Sequence, residues 1–159
     1  MAYKVLNNVQ LKDATGVSSL STDMLVLVIN KNTKNDTSFM ELNKKSKNYL
    51  SKTIKSHLDQ PGSSILLPKT DGINAKHILL VKGLDVNAPT HKWLSLYQSI
   101  AQKGNQNKCK DISVMPGTVS PKGKDELWLI EMVSKTIESN VYIFLKQKIK
   151  PLRIQVLKD

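Results

Sequence analysis

Three histidines, one cysteine and a glycine-bracketed loop are the first places to look for chemistry in this chain. A metal centre needs three or four converging ligands. His57, His77 and His91 stand 20 and 14 residues apart, with neither HExxH nor paired-cysteine spacing. They read as helix-end, strand-edge or loop residues. Cys109 lies between Lys108 and Lys110, whose ammonium groups could favour its thiolate and make it reactive; the plainer reading is a loop thiol. The run from Gly117 to Asp125 invites comparison with a phosphate-binding loop, in which four residues separate the glycines and a Lys followed by Ser or Thr completes the site. Here five residues separate Gly117 from Gly123, and Asp125 puts a carboxylate where the metal-binding hydroxyl belongs, so the run reads as a turn into a helix. There is no Gly-x-Ser-x-Gly elbow and no dinucleotide fingerprint. The expectation is that this chain holds no catalytic, cofactor-binding or metal-ligating residue.

Charge is the next candidate for function. The 159 residues carry 24 Lys plus Arg against 13 Asp plus Glu, a net charge of +11, which is the footprint expected of a nucleic-acid or anionic-membrane binder. Its make-up argues otherwise. Arg153 is the single arginine, whereas base-edge and bidentate phosphate recognition favour the guanidinium fork, and 12 Asn accompany the lysines. That usage resembles a coding bias spread over the surface. The stretch from Lys31 to Lys55 holds seven Lys against Asp36 and Glu41, and Lys146, Lys148, Lys150 and Arg153 form a second cluster. Either could track a phosphate backbone, so DNA binding stays open, but stacking aromatics are what would make single-strand binding persuasive. Tyr49 falls on the apolar stripe of its helix and is expected in the core.

The elements that must position these residues follow from hydrophobic period. Tyr3 to Leu6 and Asp23 to Ile29 read as strands, the second apolar throughout and so covered on both faces. Ser38 and Glu41 have capping-box spacing, and Phe39, Leu42, Tyr49, Leu50, Ile54 and Leu58 predict one helix ending at Gln60-Pro61-Gly62. Ile65–Leu67 and His77–Val81 are short strands joined through Asp71-Gly72. Trp93, Leu96, Tyr97 and Ile100 mark a helix from Pro89 to Gly104, and Ile112–Met115 a strand. A last helix runs from about Lys124 to Leu145, with Asp125 and Glu126 at its positive end. A strand from Leu152 to Leu157 follows Pro151. The order β-β-α-β-β-α-β-α-β implies an α/β layered sheet, its two adjacent strand pairs making part of it antiparallel.

At this length one domain spanning residues 1–159 is expected. The longest apolar run is six residues, Met24 to Ile29, where a membrane span needs about 20, and a lone cysteine suits a reducing compartment, so the expected location is the cytoplasm with no membrane partner. A domain that closes on a strand reads as the front part of a longer polypeptide.

Asp23 to Ile29, Gln60-Pro61-Gly62-Ser63-Ser64-Ile65-Leu66-Leu67, Lys76 to Leu84 and Val141-Tyr142-Ile143-Phe144-Leu145-Lys146 together resemble the amino-terminal domain of the cytosolic leucyl aminopeptidase family. The resemblance covers nearly the whole chain. Where that family runs an aliphatic strand into Gly-Leu-Gly, this chain inserts Lys82 and carries Asp85 in the last position. The resemblance implies a macro-domain-like fold, a three-layer α/β/α arrangement around a mixed, mainly parallel sheet. It implies a non-catalytic role: the family's catalytic residues and its two divalent ions, zinc or manganese, belong to a carboxy-terminal domain whose Asn-Thr-Asp-Ala-Glu-Gly-Arg signature does not occur here. It further implies a homo-oligomer, a hexamer in the full-length family, with a DNA-binding contribution in some bacterial members. A free-standing macro-type domain binding an ADP-ribose-like ligand is the weakest alternative, because the Asn-Ala-Ala-Asn and triple-glycine loops of such pockets are missing.

Overall fold

The computed structural model describes residues 9–13, 16–31, 33, 36–116, 119–145 and 153–158. Strand formation is dictated most strongly at β2 (Met24–Ile29), where six consecutive apolar residues offer no polar face and must be covered on both sides. Met24 to Val28 are all at most 3% exposed. Each such side chain contributes about 1.5–3 kcal/mol of transfer free energy.

Around β2 the sheet runs in the order β1-β6-β5-β2-β4-β3, where β1 is Val9–Asp13, β3 Ser64–Leu67, β4 His77–Lys82, β5 Asp111–Met115 and β6 Arg153–Lys158. All pairings are parallel except β3 with β4, whose antiparallel register sets Ile65 opposite Leu80. The expected sheet is therefore the observed one, with a correction at its start. The first two strands are not neighbours, since β1 pairs β6 with Val9 opposite Ile154. The expected strand at Tyr3 to Leu6 lies outside the described residues.

Alternating strand residues feed two cores. On one face Leu25, Leu27, Ile78, Leu80 and Leu157 pack against Phe39, Leu42 and Leu50 of helices α1 (Thr37–Lys45) and α2 (Tyr49–His57). On the other, Met24, Val26, Val28, Leu79, Val81, Ile112 and Val114 meet Trp93, Tyr97 and Ile100 of α3 (Thr90–Gln106) and Leu129, Val133 and Ile137 of α4 (Glu126–Leu145). Gly104 of α3 lies where a Cβ would come within 2.5 Å of Ile112 Cδ1, so helix and sheet approach closely there.

The single helix expected from Phe39 to Leu58 is two. Lys47 (φ 56°) and Asn48 (φ 65°) are left-handed and break it, with Asn48 N–H donating to the Asn43 carbonyl at 2.8 Å and Ser51 N–H to Asn43 Oδ1 at 3.1 Å. Asn tolerates this conformation because its short polar side chain bonds locally. The break turns Tyr49 outward to 44% exposure and buries Leu50, which corrects the expected core position of Tyr49. The anticipated capping box is also displaced: Asp36 takes the N-cap position, and Glu41 Oε1 accepts the Ser18 hydroxyl at 2.6 Å, tying α1 to a short turn of helix at Val17–Ser19. Asp125 does cap α4, its Oδ1 accepting the Trp128 amide at 2.8 Å.

Below the sheet, at the amino ends of β2 and β5, a polar network fastens the strands. Asp111 Oδ1 accepts the Thr22 hydroxyl at 2.6 Å and the Asp23 amide at 2.8 Å, and Asp23 Oδ2 accepts the Lys110 amide at 2.6 Å. Lys76 Nζ stands 3.2 Å from Asp23 Oδ1 but is 73% exposed, so the ion pair itself contributes little. Burial pushes the Asp23 carboxyl upward, yet the Lys110 amide, the Lys76 ammonium and the Asp111 amide outweigh it and hold the group below its ordinary value of 3.8. A lowered folded-state pKa means stability that is present above 3.8 and lost as pH falls through the folded value. Asp23→Asn is therefore expected to melt at a lower temperature than the parent at pH 7, with the gap closing as the buffer is taken well below pH 3.8; thermal melts by circular dichroism across that range check it, and a pH-independent gap would contradict it.

Candidate functional site

The strands carry their outgoing loops to one end of the sheet. β2 exits through Asn30 and Lys31 towards α1, and β4 exits through Gly83, Leu84 and Asp85 towards α3, so neighbouring parallel strands send the chain to opposite faces. Diverging exits leave a crevice beyond the strand ends. A cleft of about 570 Å³ occupies this place, lined by Ile29 to Lys31, Ile54, Lys55, Leu58, Pro61, Lys82 to Val86 and Val119.

Local bonding fixes its walls. The Gly83 amide donates to the Ile29 carbonyl at 2.8 Å, and a Cβ at Gly83 would overlap Asn30 Oδ1 and force that side chain to shift. Asn30 N–H donates to Thr33 Oγ1 at 2.7 Å. Lys122 N–H reaches the Val86 carbonyl at 2.7 Å, drawing the segment before α4 onto the cleft. Lys82 continues β4 in register opposite Ile29, its Nζ donating to the Asp59 carbonyl at 2.7 Å. Asp85 Oδ1 accepts the Asn87 amide at 2.9 Å.

The structure disperses the residues the sequence singled out. His57 is exposed at the end of α2 and His91 in the first turn of α3; His77 opens β4 with Nδ1 3.3 Å from the Asp23 carbonyl. Among the described residues no three His, Cys, Asp or Glu side chains converge as a metal would require. Gly117 and Thr118 and the cluster Lys146, Lys148 and Lys150 lie outside the described residues, as does the side chain of Arg153. Sequence reasoning missed the cleft altogether. Its one available signal was the pair of polar breaks, Asn30-Lys31 and Gly83-Leu84-Asp85, directly after the two most apolar strands.

Cys109 follows the plainer of its two readings, an unreactive thiol. Burial, with the carboxylates of Asp23 and Asp111 acting in the same direction, pushes its thiol up to about 11. The flanking lysines do not produce a thiolate. Alkylation by iodoacetamide at pH 7.5 is expected to run roughly ten- to a hundred-fold slower than for a free cysteine, the lost thiolate fraction being partly offset by greater intrinsic nucleophilicity. The rate should still be rising at pH 10; a plateau near pH 8.5 by mass spectrometry would overturn this.

A mixed six-stranded sheet in this order, with helices on both faces, defines a macrodomain-like α/β domain. The Trypanosoma brucei macrodomain, solved in complex with ADP-ribose, superposes with a TM-score of 0.70 at 15% identity, covering 96% of this chain and 65% of that one. A mutant of tomato leucine aminopeptidase superposes at 0.63 and 18% identity, over 99% of this chain and 34% of that one. Residues 25–151 match the N-terminal domain of the cytosol aminopeptidase family, and the chain belongs to that family. A probable cytosol aminopeptidase of Haemophilus influenzae strain PittEE is 26% identical over 144 residues, which are 89% of this chain, and the cytosol aminopeptidase of strain Rd is 24% identical over the same length. The chain spans 29% of the length of these curated relatives. No helix among the described residues is long and apolar enough to cross a membrane.

Proposed function

We propose that residues 1–159 are the single, non-catalytic amino-terminal domain of a metal-dependent leucyl aminopeptidase, a cytoplasmic enzyme that releases amino-terminal residues from peptides. The observation that carries this reading is the match of residues 25–151 to that domain of the family, in a chain spanning 29% of its relatives' length. In a carboxy-terminal catalytic domain, two zinc or manganese ions would activate water and polarise the scissile carbonyl. The part played by this domain is to support that neighbour and to help assemble the homo-oligomer, a hexamer. Incubated with leucine p-nitroanilide and Mn²⁺ or Zn²⁺, the chain alone is expected to release no p-nitroaniline above background. Turnover that survives repurification and disappears with a chelator would sink the assignment.

A second reading, a lysine-rich nucleic-acid-binding surface, is favoured by the outward turn of Tyr49. Lys44, Lys45, Lys47, Lys52 and Lys55 are exposed on the same helix pair as this 44%-exposed aromatic, while the Glu41 carboxylate is engaged by Ser18. A basic surface with a stacking platform suits single strands. Under this reading a single-stranded oligonucleotide is retarded in a gel at about 50 mM salt by micromolar protein and released by about 200 mM. Tyr49→Ala should weaken it by about 1–3 kcal/mol. No retardation at the lower salt ends this reading and leaves the first untouched.

A further inference from the structure

The cleft beyond β2 and β4 takes no part in the function proposed above, and its lining is divided by chemistry. Ile54 of α2 and Leu58 just after it, with Pro61, Leu84, Val86 and Val119, form apolar walls. Lys31 and Lys55 bring exposed ammonium groups, neither with an ion-pair partner among the described residues. Lys82 is engaged by the Asp59 carbonyl, and the one lining carboxylate, Asp85, accepts a bond from the Asn87 amide. The consecutive amides of Leu84, Asp85 and Val86 donate to no partner among the described residues, although the amides on either side of them, Gly83 and Asn87, are both satisfied. Unpaired amides at a strand exit are donors available to an anionic ligand.

We propose that this cleft is a binding site for a small phosphate monoester with an apolar body. The head would sit between the Lys31 and Lys55 ammonium groups and the amides of Leu84 to Val86, and the body against Ile54, Leu58 and Val86. The donor count selects the head. Two ammonium groups and three amides exceed what the roughly four lone-pair sites of a carboxylate accept, and suit the three terminal oxygens of a phosphate monoester. The size selects a small molecule, since about 570 Å³ falls within the range of roughly 300–1,000 Å³ typical of small-ligand pockets.

The test is a titration of the ¹⁵N-labelled chain with phenyl phosphate, inorganic phosphate and phenol, read by amide chemical shifts. Phenyl phosphate is expected to shift Gly83 to Val86 and Ile54 saturably with a Kd below about 1 mM, an affinity near 4 kcal/mol. Inorganic phosphate should shift Gly83 to Val86 at least tenfold more weakly, and phenol more weakly still. The double variant Lys31→Gln, Lys55→Gln should lose at least tenfold in phenyl phosphate affinity, its spectrum away from the cleft confirming that it folds. No saturable shift at these amides by 10 mM phenyl phosphate would overturn the proposal, as would unchanged affinity in the double variant. Equal affinity for inorganic phosphate would overturn the apolar half of the site. Shifts spread along the exposed lysines of α1 and α2 instead would show general anion attraction and refute a built site. None of these outcomes bears on the aminopeptidase assignment, which is read by hydrolysis.

Discussion

The whole arrangement depends on covering β2. Six apolar residues in extended form cannot be left with a free face or a free edge, so the strand takes parallel partners on both sides, β4 and β5, and helices on both faces. Parallel neighbours require crossovers, and crossovers supply the helices. Covering both faces requires the chain leaving β2 and the chain leaving β4 to go opposite ways, which opens the cleft at the carboxyl end. One constraint thus produces the layers and also the gap between their loops.

The two ends of β2 are finished differently. At the amino end Thr22, Asp23 and Asp111 close a hydrogen-bonded knot that continues inward, Ser113 Oγ lying 3.0 Å from Thr22 Oγ1 and donating to Gln155 Oε1 at 3.2 Å. Ser113 is fully buried and Gln155 nearly so. Their pairing specifies register, because a one-residue slip of β5 or β6 would move these groups to the other face and leave them unpaired, at about 1–3 kcal/mol each. On the opposite face Trp93 Nε1 and the Tyr97 hydroxyl, one turn apart on α3, are buried without a partner among the described residues, and burial alone raises the Tyr97 phenol. Those two side chains are held there for the apolar area they cover. Specificity therefore resides in the knot, and bulk in α3.

Much of this was legible in residue order. The apolar run at Met24 to Ile29, the stripe from Trp93 to Ile100 and the Asp125 cap each carry a local signal strong enough to survive tertiary context. The break at Lys47-Asn48 was not legible, because Leu42 and Tyr49 are seven residues apart and so keep the helical phase across a polar gap. Reading through that gap put Tyr49 in the core. At Cys109 the plainer reading, a loop thiol, agrees with the raised pKa, but its cause was not legible: burial acts first, and the carboxylates that add to it, Asp23 and Asp111, are brought there by strand pairing. The cleft was missed for the same reason, since Lys31, Lys55 and Val86 come to line one cleft only once the β2-to-β4 crossover is made.

Superposition on proteins of 15–18% identity shows what such a fold does and does not carry. The apolar residues of β2, β4 and β5 specify the sheet and would serve any occupant of it. The loops at the carboxyl ends are under no such packing constraint, and there chemistry can vary while the sheet stays put. Lys82 illustrates the division. At the end of β4 its backbone takes the last rung opposite Ile29, while its side chain turns to the Asp59 carbonyl and lines one side of the cleft. The backbone of this residue belongs to the sheet and its side chain to the wall of the cleft. A change confined to a strand exit can therefore set what the domain binds while leaving its sheet as it was.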